Sequence, residues 1–270
     1  MGVSKYAGDD VRAYAMEFSG VTDSGERVMG LLPKGAASSR VLATPELLWP
    51  VPDHWSLEDA ATVPLAYSQA LYCLFLKQLG SDLETLFVHC GAGGLGQAVI
   101  SVALALGVRV FTTVSSQEKK KFLLKLFPQL NEQDIGNSRD HTFADMVLTR
   151  TAGKGCNVCF NCVEGALKNS TLRISGHDGL TFDFSQISNA ENYSFGMFNM
   201  TRARAYVVMD ASSLFLDVNT MNTIQQYVAE GISRGYVVPL TRVVFPPNQV
   251  ARALRLLLEG KNRGRVVLRM

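Results

Sequence analysis

The chain has little that would draw it to a polyanion or a lipid surface. Lys and Arg total 26 against 24 Asp and Glu, a formal net charge of only +2. Such balance gives no long-range attraction to nucleic acid or membrane. No apolar run is long enough to span a bilayer. The N-terminus has no signal-peptide pattern, and Tyr6 stands where a myristoylated Met1-Gly2 start wants Ser or Thr. A cytoplasmic protein is the expectation.

Cysteine is scarce and odd in number: Cys73, Cys90, Cys156, Cys159 and Cys162. With no secretory signal, these read as free thiols. Cys156-x-x-Cys159-x-x-Cys162 has metal-cluster spacing and resembles the structural-zinc lobe of zinc alcohol dehydrogenases. Three features speak against it. Asn157–Val163 reads as a buried strand, whose alternation turns Cys159 away from Cys156 and Cys162. Ser170 occupies the spacing of that lobe's fourth ligand. Such a lobe would also precede a glycine turn. Structural thiols and no metal are expected.

What the chain does have is an ordinary globular composition, 47% hydrophobic and 19% charged, over 270 residues. That suffices for one large domain or two small ones. Its most informative stretch is Thr85-Leu-Phe-Val-His-Cys-Gly-Ala-Gly-Gly-Leu-Gly-Gln97. An apolar run ends in Gly91, Gly93, Gly94 and Gly96, and a helical pattern follows from Ala98 to Leu106. Strand, tight glycine turn and helix is the order a dinucleotide site requires. Gly91 permits the turn, Gly93 a close approach of backbone to pyrophosphate, and Gly96 close packing of helix on strand. The helix N-terminus adds free N–H groups and a positive dipole end. The alternative is a glycine-rich βα turn with no ligand.

To about Ala66 the pattern is short strands and loops: Ala13–Gly20 and Arg27–Leu32 around a polar turn, then Val41–Ala43 and Glu46–Trp49. Ser56-Leu-Glu-Asp59 reads as an N-cap, with a helix continuing to Val63 and closed by Pro64. Leu65–Leu79 reads as a second helix. Strands are then expected at 85–90, 109–114, 157–163, weakly at 179–184, and 205–210. Helices are expected at 94–106, 117–127, 141–152 and 166–174. This alternation predicts an α/β fold: a doubly wound parallel Rossmann sheet. Helix 217–234, strand Val237–Phe245, helix Pro247–Glu259 and strand Gly264–Met270 follow. The expected division is a nucleotide domain, 67–210, inserted in a β-rich lobe of 1–66 and 211–270.

NAD preference needs an acidic residue near the end of the second strand of the nucleotide domain. Arg109–Val114 is instead followed by Ser115-Ser116-Gln-Glu-Lys-Lys-Lys121, hydroxyls and cations that suit a 2′-phosphate. NADPH is the favoured cofactor. Lys119 and Lys120 read equally well as a solvated helix face.

Several ordered blocks carry a family resemblance: Ala15-Met-Glu-Phe-Ser-Gly20, Arg27-Val-Met-Gly30, the glycine turn, Arg109–Val114 and Gly136-Asn-Ser-Arg-Asp140. Gly153-Lys-Gly155, Phe182-Asp-Phe-Ser-Gln186, Val208-Met-Asp-Ala211 and Gly260-Lys-Asn-Arg-Gly264 continue the series. Together they resemble the enoyl reductase domain of animal fatty acid synthase and related polyketide synthases, zinc-free medium-chain reductases. The resemblance implies hydride transfer from NADPH to the β-carbon of a trans-2-enoyl thioester on an acyl carrier protein, then protonation of the α-carbon. It implies neighbouring synthase domains and a homodimer paired through the nucleotide domains. By the same resemblance, Gly91, Gly93, Gly94 and Gly96 hold pyrophosphate, and Ser116, Lys119 and Arg139 hold the 2′-phosphate. Arg139 could alternatively pair with Asp140. Asn161 and Cys162 match the strand end beside the nicotinamide. Tyr67 matches a tyrosine opening the helix before the glycine turn, and Asp210 an aspartate that is a candidate proton donor.

Two departures qualify the resemblance. The family places a lysine, also a candidate donor, where Thr181 stands here, in a loop about three residues shorter. A threonine hydroxyl cannot release a proton as an ammonium can. His177 is a possible substitute, or simply a loop histidine. The family also has further strands before Ala15, so the β-rich (GroES-like) lobe reads as N-terminally truncated, as in a fragment of a larger polypeptide. These departures leave open a catalytically impaired or non-catalytic module that keeps only NADPH binding. A free-standing quinone-reductase-like enzyme is the remaining alternative.

Overall fold

The structure is a computed structural model that describes residues 15–77, 83–185 and 194–270. The beginning of the expected strand at Ala13, the end of the expected helix at Leu79, and Gln186 lie outside the described residues. The described strands are β1 (Glu17–Val21), β2 (Arg27–Leu31), β3 (Leu48–Pro50), β4 (Thr85–Val88), β5 (Arg109–Val114), β6 (Ile135–Asn137), β7 (Cys156–Asn161), β8 (Ser175–Asp183), β9 (Ala205–Val208), β10 (Arg242–Phe245) and β11 (Arg265–Leu268). The α-helices are α1 (Leu57–Ala60), α2 (Pro64–Leu71), α3 (Gly94–Ala105), α4 (Gln117–Leu126), α5 (Thr142–Arg150), α6 (Ala166–Ile174), α7 (Val218–Ser233) and α8 (Val250–Leu258). No helix among the described residues is long and apolar enough to cross a membrane.

The chain forms two units. One comprises residues up to Leu74, Gly93–Ala98 and Ala211–Met270. Within it β1, β2 and β3 form an antiparallel sheet, and β10 pairs in parallel with β11. Ser56 caps α1 in a full capping box: its hydroxyl accepts from Asp59 N–H while the Asp59 carboxylate accepts from Ser56 N–H. Helix α1 ends at Ala60, earlier than expected. Pro64 does not close it but opens α2, where its missing N–H costs nothing. Buried Trp49 donates its indole N–H to Gln225 O on α7, and the Gln225 amide returns a bond to Leu48 O. The strand expected over Val237–Phe245 shrinks to β10. Before it, Val238, Leu240 and Thr241 donate their N–H groups to Tyr67 Oη, Thr62 Oγ1 and Gln97 Oε1 instead of to a neighbouring strand.

The other unit comprises Phe75–Ala92 and Val99–Asp210. Six parallel strands lie in the order β6-β5-β4-β7-β8-β9. Taken in order of appearance this is 3-2-1-4-5-6, the doubly wound Rossmann order. Parallel neighbours need crossover connections, and α3 to α6 supply the first four of the five. The interior strands are nearly all buried because both faces are covered. Phe87, Phe111, Phe143, Val147 and Ile174 form a core cluster, with the Phe87 and Phe143 rings stacked at 5.3 Å. β6, only three residues long, escaped the sequence pattern.

β7 corrects one expectation. Strict alternation would separate Cys156 from Cys159, yet both join the same buried cluster and their thiols interact. The β7–β8 ladder is irregular there: Ser175 faces Cys156 but Leu180 faces Val158, so β8 bulges beside the start of β7, and the β4–β7 ladder begins only at Val158. Burial, reinforced by Cys159, drives the Cys156 thiol pKa well above its ordinary value. Among the described residues no three His, Cys, Asp or Glu side chains gather to hold a metal ion.

Candidate active site at the carboxyl ends of the sheet

Strand order reverses between β4 and β7, and open α/β sheets bind ligands outside the carboxyl ends at such a point. His89 N–H donates to Phe160 O at 3.1 Å, tying the end of β4 to β7 there. Cys90 then takes a positive φ of 56°, unusual for a residue with a Cβ, and the chain turns into the glycines. Gly91 N–H bonds Thr113 O at 3.0 Å. A Cβ on Gly91 would collide with Thr112 Oγ1, whose hydroxyl is held by Val88 O. Only glycine fits.

The remaining glycines of the turn belong to the first unit. Gly93 forms a parallel bridge with Gly264. Gly264 is itself obligatory, with φ of 65° and a Cβ position blocked by Thr241 O. Gly94, the first residue of α3, lies against the Arg265 side chain. Arg265 pairs with Glu17, and burial lowers its guanidinium pKa to about 10. Gly96 lies in the first turn of α3. Tyr67 is fully buried, its hydroxyl accepting from Val238 N–H at 3.3 Å.

At the end of β5, Ser116 caps α4, accepting from Lys119 N–H at 3.3 Å. That bond leaves the Ser116 hydroxyl hydrogen for another acceptor. Arg139 does not pair with Asp140, whose carboxylate is taken by Asn137 and Thr142. Lys119 and Arg139 both act electrostatically on the exposed Cys90 thiol, favouring its ionised form. Both cations therefore lie near Cys90, where β4 ends. Lys120 is partnered elsewhere, by Glu132 at 3.6 Å.

Asn161 and Asp183 are the last residues of β7 and β8, paired in register, and both are fully buried. Asn161 Nδ2 donates to Asp183 Oδ1 at 2.7 Å and to Val163 O at 2.9 Å. Lys168 of α6, 1% exposed, sets its ammonium 2.8 Å from Asp183 Oδ2. Ser185 and the Tyr206 hydroxyl complete the donors around this carboxylate. Burial opposes ionisation of Asp183, but these donors outweigh it and hold its pKa below the usual value. Cys162 follows Asn161; burial and the nearby Cys90 push its thiol pKa strongly upward.

Thr181 lies two residues before Asp183 on the same face, buried, its hydroxyl without a hydrogen-bond partner among the described residues. Asp210, just beyond the carboxyl end of β9, is exposed. His177 is not brought to this edge. It is exposed near the opposite end of β8 and bonds Asp178 at 2.6 Å. It lies in the irregular stretch of β8 between Ser175 and Leu180, at the end of the strand away from Asp183. Lys168, Asp183, His89 and Arg265 were missed by sequence reasoning. A glycine-rich junction packing on Arg265 has no local signature.

The family described as zinc-binding dehydrogenase matches residues 94–226. A highly reducing polyketide synthase of Gibberella zeae is 31% identical over 250 residues, which cover 90% of this chain and 10% of that one. Among solved structures, the CurK enoyl reductase gives a TM-score of 0.83 at 26% identity, over 96% of this chain and 79% of that one. The quinone oxidoreductase from Thermus thermophilus, solved also in complex with NADPH, gives 0.78 at 25%, over 94% and 80%. Sheet order, glycine turn and these matches define an oxidoreductase, and the chain belongs to the medium-chain dehydrogenase/reductase superfamily. Within that superfamily its homologues include polyketide synthases and, among solved structures, the CurK enoyl reductase. The chain spans about a tenth of the length of the curated relatives it matches.

Proposed function

We propose that this chain is an NADPH-dependent enoyl reductase module that reduces trans-2-enoyl thioesters carried on an acyl carrier protein, beside other domains of a synthase. The carrying observation is the set of groups around the end of β5. An exposed hydroxyl on Ser116 and two cations, Lys119 and Arg139, suit the dianionic 2′-phosphate of NADPH. No carboxylate caps the strand to favour NAD. The glycine turn and the first N–H groups of α3 suit the pyrophosphate. When bound, NADPH supplies the hydride. Asn161 and Cys162 then flank the nicotinamide. Asp210 is the ionisable group available to deliver a proton beyond β9, and His177 has no part in it. We assign residues 67–210 to the cofactor domain and 1–66 with 211–270 to the substrate lobe, although 67–74 and 93–98 pack with the latter.

A second reading has its own support. Thr181 offers no ionisable group, and its hydroxyl is buried, which favours a module that binds NADPH without reducing an enoyl thioester. NADPH oxidation with a crotonyl thioester separates the two. Turnover supports the reductase. Intact NADPH binding by fluorescence with no turnover supports the second reading, and loss of both refutes the cofactor assignment.

A further inference from the structure

Five of the six strands of the Rossmann sheet contribute one polar side chain, or the residue just beyond their carboxyl end, to a single buried network. Thr113 comes from β5, His89 from the end of β4, Asn161 from β7, Asp183 from β8 and Tyr206 from β9. Thr171 and Lys168, one turn apart on α6, bridge the gaps. The links are continuous. Cys90 N–H reaches Thr113 Oγ1 at 3.2 Å, and Thr113 Oγ1 meets His89 Nδ1 at 2.9 Å. His89 Nε2 meets Thr171 Oγ1 at 2.8 Å, and Thr171 Oγ1 reaches Asn161 Oδ1 at 3.0 Å. Asn161 Nδ2 reaches Asp183 at 2.7 Å, which Lys168 and Tyr206 close from the far side.

The ends of this chain fix the direction of every bond in it. The backbone N–H of Cys90 can only donate. The Asp183 carboxylate and Val163 O can only accept, so the Asn161 amide must turn Nδ2 toward them and Oδ1 toward Thr171. The other neighbours of Thr171 Oγ1, Asn161 Oδ1 and Leu167 O, are pure acceptors, so its hydrogen goes to one of them. Thr171 then accepts from His89 Nε2–H. His89 is fully buried, and loss of solvent drops its pKa to about 3, so the ring is neutral. Its Nδ1 is therefore bare and accepts from the Thr113 hydroxyl. The reverse tautomer would face Thr171 Oγ1 and Asn161 Oδ1 lone pair to lone pair.

We propose that Thr113, His89, Thr171, Asn161, Asp183 and Lys168 are positioning residues, which hold the glycine turn and the strand ends as one preorganised platform for the dinucleotide through a hydrogen-bonded chain running in a single direction. The proposal deepens the NADPH reading and rests on it for its ligand. A platform of this kind holds binding groups in place before the ligand arrives, which is where affinity is gained without new contacts. A buried group left without its partner loses that placement.

The test is Thr171→Val, which keeps the shape and removes the central link, beside Thr171→Ser, which keeps the hydroxyl. Nitrogen-15 NMR of labelled histidine reads the ring directly. Wild type and Thr171→Ser show His89 protonated on Nε2 at neutral pH, and Thr171→Val loses that preference. NADPH binding by fluorescence weakens about tenfold in Thr171→Val and less than about threefold in Thr171→Ser. A wild-type His89 protonated on Nδ1 overturns the direction of the chain, whether or not any variant folds. Wild-type affinity in Thr171→Val with a switched tautomer overturns the positioning role. If wild type itself fails to bind NADPH, the cofactor reading falls while the NMR result still decides the network.

Discussion

Replacing Lys168 with Met is the sharpest probe of the sheet's polar edge. The side chain is 1% exposed and its ammonium lies 2.8 Å from an Asp183 carboxylate that is fully buried. Neither charge is screened by water. Methionine fills similar volume, so the change removes charge with little cavity. The carboxylate keeps Ser185, Asn161 and Tyr206 but loses its countercharge. Breaking one side of a buried pair costs about 3–5 kcal/mol. At roughly 2–4 °C per kcal/mol for a domain of this size, the melting temperature should fall by about 10 °C. The loss should depend on pH. Wild-type Asp183 has a lowered pKa, so its stabilisation is present above the unfolded carboxylate value and fades as pH falls through the folded one. Without Lys168 the folded pKa rises, Asp183 takes a proton sooner, and the gap to wild type narrows as pH drops toward the carboxylate range. Lys168→Met combined with Asp183→Asn removes both charges and should recover part of the loss. Thermal unfolding by circular dichroism across pH measures all three. A Lys168→Met protein melting within about 2 °C of wild type, or a double variant no better than the single, refutes the reasoning.

Other outcomes follow from the same geometry. Gly91→Ala should cost about 2–3 kcal/mol, because the new Cβ meets Thr112 Oγ1, and NADPH titration should show binding lost with it. Arg139→Ala should weaken NADPH about tenfold and leave NADH nearly unchanged, read as the ratio of the two dissociation constants. His89 stays neutral in the folded chain while the unfolded chain protonates it. Stability should therefore fall by about 1.4 kcal/mol per pH unit from that group as pH drops below 6.5 toward 3, seen in urea unfolding. Ser56→Ala removes the α1 capping box and should cost about 1 kcal/mol by the same assay.

The glycine turn and the βα alternation were legible because they are local: tight backbone geometry demands glycine, and buried parallel strands demand apolar runs. The hydroxyl and cations after β5 were legible for the same reason, since they follow one another along the chain. Lys168 was not. In sequence it is a lysine in a short polar helix, indistinguishable from a solvated one, and only the crossover of α6 over β7 and β8 buries it. His89 read as part of the strand end, because its partners Thr113 and Thr171 lie 24 and 82 residues away. The Cys156–Cys159 meeting was hidden because Cys156 lies at the irregular start of β7, before its ladder with β4 begins. His177 suffered the opposite error. Closeness to Thr181 in sequence suggested closeness to the chemistry, but His177 sits in the bulge at the far end of β8.

The one-per-strand arrangement of polar groups has a consequence for how the sheet assembles. A strand displaced by one residue turns all its side chains to the opposite face. Slippage of β5, β7, β8 or β9 would therefore withdraw Thr113, Asn161, Asp183 or Tyr206 and strand the others in an apolar interior. The apolar residues of these strands would tolerate such a slip better, since they can bury against either face. The polar edge does not, and so it acts as a register lock that only the correctly threaded chain can close.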